Sequence, residues 1–403
     1  MQSYYLKLNN NISVANIWID GGTSLDKKEK KGINQILCKL LTRGCNKYDN
    51  YEFSDFLDSY GAELNFEAFE DGISISLKSL TEHFEKLFPV LNLLIEEPNL
   101  YEKEFIYCQK ESLNNVIKSK ENPFNIAFDN FKKILYVEHP YSFNCLGDEE
   151  SIKRIKHYDI LNEYKSLKKR KKYLLTNNAK YNFLNLKKIK ASNHDKDVGK
   201  LQTKLLIKNN YVEHYSNSKQ IIIILGSQTC PHNSKDSLAL KVLESYLSYG
   251  MSSLLFKVFR ENNGLTYDSG VFYPSRKFNA PFLVYLSVSE RNASLTLNLL
   301  LSIWSDLLTK KISEEELSLA KLKLNRSFLH HFRTCEDIIF RKVRLLSLDM
   351  DPFYDEKAKY LIEAITSKEV LKLTRKYLNN PCISVSGSKH VCEYLRKIWE
   401  RKN

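Results

Sequence analysis

The 403-residue chain lacks any long hydrophobic run. Its longest unbroken aliphatic stretch is 221–225 (IIIIL), far short of the roughly 20 residues that a membrane helix needs. The opening MQSYYLKLNNNISVANIWIDGG has no basic n-region, no long apolar h-region and no small-residue cleavage site, so a cytoplasmic location is expected. Arginine is scarce, with 13 Arg against 48 Lys. A nucleic-acid reader concentrates its basic residues and uses Arg for bidentate contacts, whereas here Lys is scattered, with one dense run at 168–172 (KKRKK). That run reads first as a solvated edge, and nucleic-acid binding is not expected. The eight Cys contain no CxxC pair and no cluster with His at metal spacing, which points to reduced thiols. Apolar content is not lacking: 43% of residues are hydrophobic and 27% charged, so the chain is globular and long enough for two or three domains.

A repeat narrows that range. With a shift of 206, residues 16–44 (NIWIDGGTSLDKKEKKGINQILCKLLTRG) lie over 222–250 (IIILGSQTCPHNSKDSLALKVLESYLSYG). Both read as an apolar strand, a polar loop and an amphipathic helix closed by Gly44 or Gly250. Ile36, Leu37, Leu40 and Leu41 fall on Val242, Leu243, Tyr246 and Leu247, the same core stripe in each. Alternating stretches follow, LNFEAFEDGISISLKSL and TYDSGVFYPSRKFNAPFLVYLSVS, which predict β-hairpins. Helices are then predicted over 83–97 and 293–309, over 102–120 and 313–333, and over 151–167 and 361–378, before a closing strand in KKYLLTNN and CISVSGS. The expected fold is α+β: two tandem homologous units, each a mixed, mostly antiparallel sheet covered by helices, facing each other across a cleft. The units are placed at 1–188 and 219–403, joined by a polar, Lys-rich linker at 189–218.

In the helix 32–44, Gln35 and Lys39 form an i, i+4 pair, with Cys38 beside them, opposite the apolar stripe. The spacing suits a helix-borne metal site but the residues do not, since an ammonium has no lone pair and repels a cation. From the residues alone, Gln35 and Lys39 are solvated positions on an ordinary amphipathic helix.

The ordered motifs Asp20-Gly21-Gly22-Thr23, Gly61-Ala62-x-x-Asn65, Glu121-Asn122-Pro123, His139-Pro140 and Leu146-Gly147 continue in the second half. There stand Gly250-Met251-Ser252-Ser253-Leu254-Leu255-Phe256 and Arg260-Glu261-x-x-Gly264-Leu265-x-Tyr267. Together they resemble the pitrilysin/insulinase-type zinc peptidases, in particular the processing-peptidase-like branch, over nearly the whole chain. In that family the helix carries His-x-x-Glu-His, two zinc ligands flanking a general base. The resemblance places those positions at Gln35, Cys38 and Lys39, and the third ligand, a Glu, at Asn115, with an accompanying acidic position at Cys108. Every one is replaced, and no metal is expected in this chain.

The resemblance also implies an Arg and a Tyr seven residues apart that contact peptide at the zinc of a partner chain, here Arg260 and Tyr267. Both donate hydrogen bonds and suit a developing oxyanion. Read locally, they are first a last-turn Arg opposing the helix dipole and a sheet-packed Tyr. Asn65, Phe66, Glu67 and Ala68 fall where the family pairs a strand edge with extended substrate, and read equally as a plain half-buried strand. The expected function is a non-catalytic subunit of a heteromeric zinc peptidase, closing the peptide chamber and lending Arg260 and Tyr267 to a homologous partner that holds the zinc. The alternative is a structural or peptide-holding scaffold. The charge balance of +13 suggests that the partner is acidic.

Overall fold

The computed structural model describes residues 1–8, 11–180, 184–185, 211–331 and 333–402. The first half contributes β1 (Gln2–Tyr5), β2 (Ile12–Asp20), α1 (Ile33–Leu41), α2 (Asn50–Ser59), β3 (Glu63–Ala68), β4 (Gly72–Leu80), α3 (Phe84–Glu96) and α4 (Glu102–Ser119). It continues through α5 (Pro123–Leu135), α6 (Glu149–Arg154), α7 (His157–Lys169), β5 (Lys172–Thr176) and β6 (Leu184–Asn185). The second half holds β7 (Tyr211–Tyr215), β8 (Gln220–Gln228), α8 (Ser237–Ser248), β9 (Thr266–Phe272), β10 (Pro281–Ser289), α9 (Ala293–Thr309) and α10 (Glu314–His331). It ends with α11 (Cys335–Ser347), α12 (Tyr354–Ala364), α13 (Ser367–Tyr377), β11 (Cys382–Gly387) and α14 (Lys389–Lys402).

The strands form two sheets, in the orders β3-β4-β2-β5-β1-β6 and β9-β10-β8-β11-β7. Five positions correspond one to one. In each sheet a central strand, β2 or β8, is antiparallel to both neighbours, while β1 and β7 run parallel to β5 and β11. The fold is therefore α+β with a repeated unit, as the sequence period implies. Gly250, at φ 74°, directly follows the Tyr249 C-cap of α8 as expected, whereas Gly44, also left-handed at 100°, lies two residues past the Thr42 C-cap of α1.

Strand β2 shows how the alternation works. Ala15, Ile17 and Ile19 enter one core with α1, α3 and α4, whereas Val14 and Trp18 enter another with Ile339 and Val343 of α11. A strand covered on both faces needs apolar residues at nearly every position, and seven of the nine here are fully buried.

The compact units do not coincide with contiguous halves of the sequence. Lys120–Phe143, which carries α5, belongs with the second sheet, and His331–Tyr354, which carries α11, belongs with the first. Helix α5 lies on β8 and β11, and α11 on β2 and β5. The expected helix 151–167 is instead two helices, α6 and α7, broken at Ile155, whose backbone is extended; likewise 361–378 divides between α12 and α13. Of the expected linker 189–218, residues 189–210 lie outside the described residues, and Tyr211–Tyr215 is a strand paired with β11.

Candidate functional site

Helix α1 carries Gln35, Cys38 and Lys39, the positions that the resemblance assigns to the zinc motif. Its stripe Ile36, Leu37, Leu40 and Leu41 is fully buried, because that side faces the sheet. The opposite stripe is not solvated, contrary to the sequence reading, because α4 packs against it. Cys38 is 1% exposed and joins the core. The Gln35 amide nitrogen donates to the Ala68 carbonyl at 2.8 Å, tying α1 to β3. Lys39 Nζ is ion-paired with Glu111 on α4, and Arg43, just past α1, reaches the other Glu111 oxygen at 3.5 Å while lying 4.5 Å over the Tyr107 ring. Asn115, one turn beyond Glu111, is half-buried, and Cys108 is fully buried.

These groups do not fit zinc. Burial pushes the Cys38 and Cys108 thiols up, away from the thiolate that a metal requires. Lys39 contributes an ammonium, and Gln35 and Asn115 contribute amides. Glu111 already neutralises two cations. Among the described residues no group of three or more His, Cys, Asp or Glu is gathered as a metal site would require. Glu111 was missed in the sequence. Its signal is an acidic residue one helical turn before Asn115, facing a position that has become basic.

Strand β3 is an edge. It pairs with β4 alone, with Asn65 opposite Ser76 and Glu67 opposite Ser74. Asn65 and Glu67 are exposed, Phe66 is half-buried and Ala68 buried. The half-buried strand and the open edge are therefore both real, on different sides of the same segment.

Arg260 and Tyr267 belong to the second unit. Arg260 lies in the last turn of a π-helical segment, Phe256–Glu261, rather than an α-helix, and stacks 5.3 Å over Phe256. Gly264, at φ 57°, reverses the chain, with its N–H bonded to the Arg260 carbonyl at 3.1 Å, before β9 begins at Thr266. Only Gly takes that conformation without a Cβ penalty. Tyr267 is 76% exposed, so it is not packed into the sheet. Among the described residues neither side chain has a hydrogen-bond or ion-pair partner.

The basic run 168–172 is not a free patch. Arg170 bonds Glu163, Asn34 and the Gly21 carbonyl, Lys168 pairs with Glu96 at 2.9 Å, and burial lowers the Lys172 pKa. No helix among the described residues is long and apolar enough to cross a membrane.

Residues 5–149 match the insulinase (peptidase family M16) profile, and residues 174–324 match the peptidase M16 inactive domain. A Rickettsia felis protein named as an uncharacterized zinc protease is 23% identical over 320 residues, 76% of each chain. A Helicobacter pylori protein named as a non-peptidase homolog is 23% identical over 317 residues, covering 75% of this chain and 71% of that one. Among solved structures, a peptidase M16 inactive domain from Pseudomonas fluorescens superposes with a TM-score of 0.83 at 18% identity, over 96% of this chain and 95% of that one. A Helicobacter pylori protease superposes with a TM-score of 0.84 at 15% identity, over 96% of each.

Proposed function

The chain belongs to the insulinase family, as a non-catalytic member, and from that premise we propose that every position of the zinc motif is replaced in it and that it is the accessory subunit of a heteromeric zinc peptidase. In this reading a homologous partner with an intact motif holds the zinc, this chain closes the peptide chamber, and Arg260 and Tyr267 reach the partner's active centre. Asn65, Phe66, Glu67 and Ala68 on β3 hold peptide by strand addition. Zinc bound in the partner would polarise the scissile carbonyl and activate water there.

The carrying observation is a contrast between two regions. Around α1 the replaced positions are sealed by packing and by the Lys39–Glu111 pair. At Arg260 and Tyr267 two strong donors are exposed on either side of a glycine reversal, and among the described residues neither has a hydrogen-bond or ion-pair partner. A guanidinium and a phenol so placed donate to a carbonyl oxygen, and more strongly as it becomes an oxyanion.

Three measurements test the reading. Metal analysis of the isolated chain is expected to find no stoichiometric zinc, and peptide cleavage that chelator abolishes, in a preparation free of partner, would overturn the proposal. Co-purification is expected to bring down a chain with His-x-x-Glu-His. In the assembled enzyme Arg260→Ala is expected to lower kcat by roughly ten- to a thousandfold, the range for losing one oxyanion donor. An unchanged rate favours the second reading, a scaffold or peptide-holding subunit without a proteolytic role, to which the non-peptidase homolog from Helicobacter pylori lends weight.

A further inference from the structure

The loop between β2 and α1 closes on an acid. Gly32, which precedes α1, has no side chain with which to cap the helix, and Asp26 supplies the missing acceptor. One of its oxygens accepts the Gly32 N–H at 2.7 Å and the other the Asn34 side-chain amide at 2.6 Å. An anion beside the first turn of a helix is favoured by the helix dipole.

The same amide ties in a second acid. Asn34 is fully buried, and its Nδ2 lies 3.2 Å from Glu163 Oε1 on α7. Arg170, just past α7, is ion-paired with Glu163 and donates to Asn34 Oδ1 at 3.3 Å and to the Gly21 carbonyl. One guanidinium therefore stands near two carboxylates and bonds only one of them. Asp26 has no ion-pair partner among the described residues. The neighbouring cations are engaged or turned away: Lys30 pairs with Asp159 of α7, Lys31 acts on Asp148 before α6, and Lys27 and Lys28 are exposed. From α1 the Cys38 thiol faces Asp26 and is kept neutral by burial, while Glu67 of β3 adds a further negative charge felt at that thiol. The fold does not require this cluster. Under the 206-residue shift Leu240, 1% exposed, stands at the place of Asn34, on the helix that meets α13 in the second unit.

A carboxylate stripped of water and without a counter-ion favours its neutral form. Desolvation pushes the Asp26 carboxyl from its ordinary 3.8 up to about 7; Glu163 pushes the same way, and the hydrogen bonds from Asn34 and Gly32 oppose both. Between those two values the closed loop holds a proton that an opened, hydrated loop gives up. Closure is therefore favoured by acid and weakens as pH rises through about 7.

We infer that the entry to α1 is a proton-operated latch: with Asp26 neutral, residues 21–32 are closed on α7 through Asn34, and with Asp26 and Glu163 both ionised the loop opens to readmit water. Gln35, next to Asn34, carries the tie to Ala68 on β3, so opening slackens that strand edge as well. The latch stands whether or not a partner supplies zinc.

Hydrogen–deuterium exchange of the full chain, read by mass on peptides covering 21–35 and corrected for the intrinsic rate at each pH, measures closure. From about pH 5.5 to about pH 8.5 protection is expected to fall about tenfold or more, the equivalent of one pKa unit between closed and open loop, with its midpoint near 7. Asp26→Asn stays neutral and keeps an acceptor for the Gly32 N–H, so its protection should hold across the range. Glu163→Gln removes the neighbouring charge and should move the midpoint to lower pH. A flat wild-type profile overturns the latch. So does an Asp26→Asn profile that matches wild type, which would assign the change to another group, such as His157 at the start of α7, whose ring nitrogen lies 2.6 Å from the Leu100 carbonyl oxygen. Should Asp26→Asn fail to fold, a midpoint that Glu163→Gln leaves in place overturns it equally.

Discussion

Lys39 and Glu111 join α1 and α4 by an ion pair where the resemblance places a metal. An ammonium at 39 is incompatible with a cation between α1 and α4, and Glu111 meets it from the facing helix. The pair is partly exposed, 22% and 41% by side chain, so its contribution to stability is about 1 kcal/mol or less. Packing around Cys38 and Cys108 holds the helices together, and that packing predicts chemical behaviour. Of the eight thiols, none in a disulfide, seven are buried and Cys145 alone is partly exposed. Iodoacetamide at neutral pH should therefore label native protein at Cys145 and leave Cys38 and Cys108 untouched until denaturant is added. Mass mapping of labelled peptides reads this directly. Early labelling of Cys38 would mean that α1 and α4 separate in the native state and that the replaced site is open. The identities at 35, 38 and 39 were legible from the resemblance. Their burial was not, because an amphipathic helix shows one apolar face in sequence, while its other face is decided by whatever packs there.

The elements that escaped the sequence reading did so for a related reason. The hairpins β3–β4 and β9–β10 and the helices after them show clear periods and were legible. Helices α5 and α11 carry equally clear local signals. Asn122 caps α5 with Pro123 at its first turn, and Thr334 and Asp337 form a capping box on α11. What no local signal contains is their destination, since each packs on the sheet built mainly by the other half. For α11 the consequence is measurable. Ile339 is fully buried against Val14, Trp18 and Tyr173, residues more than 160 positions away in sequence. Ile339→Ala should cost about 2–5 kcal/mol, the range for a large-to-small core change, and the loss should appear in the first sheet. Urea denaturation followed by fluorescence in a Trp304→Phe, Trp399→Phe background, where Trp18 alone reports, is the readout. A variant that unfolds at the wild-type midpoint would show that α11 is an ornament on that sheet and not part of its core.

At the scale of the whole molecule, the 61 basic and 48 acidic side chains gain meaning once the dense run is placed. Residues 168–172 looked like the one concentrated source of field, yet Arg170 and Lys172 are turned inward and Lys168 is paired. The surplus of +13 is therefore not concentrated in that run. A net positive charge accelerates encounter with an acidic macromolecule. For the heteromeric assembly proposed above this makes a kinetic prediction. Raising ionic strength from about 0.05 to 0.5 M shortens the Debye length from roughly 14 to 4 Å. The association rate with the zinc-bearing subunit should then fall by about tenfold or more, while the dissociation rate changes little, because rim charges act mainly on encounter. Surface plasmon resonance across a salt series separates the two rates. A salt-independent association rate would remove the acidic-partner reading. Tight binding of duplex DNA by the isolated chain at physiological salt, with a steep salt slope, would turn the same surplus toward nucleic acid instead.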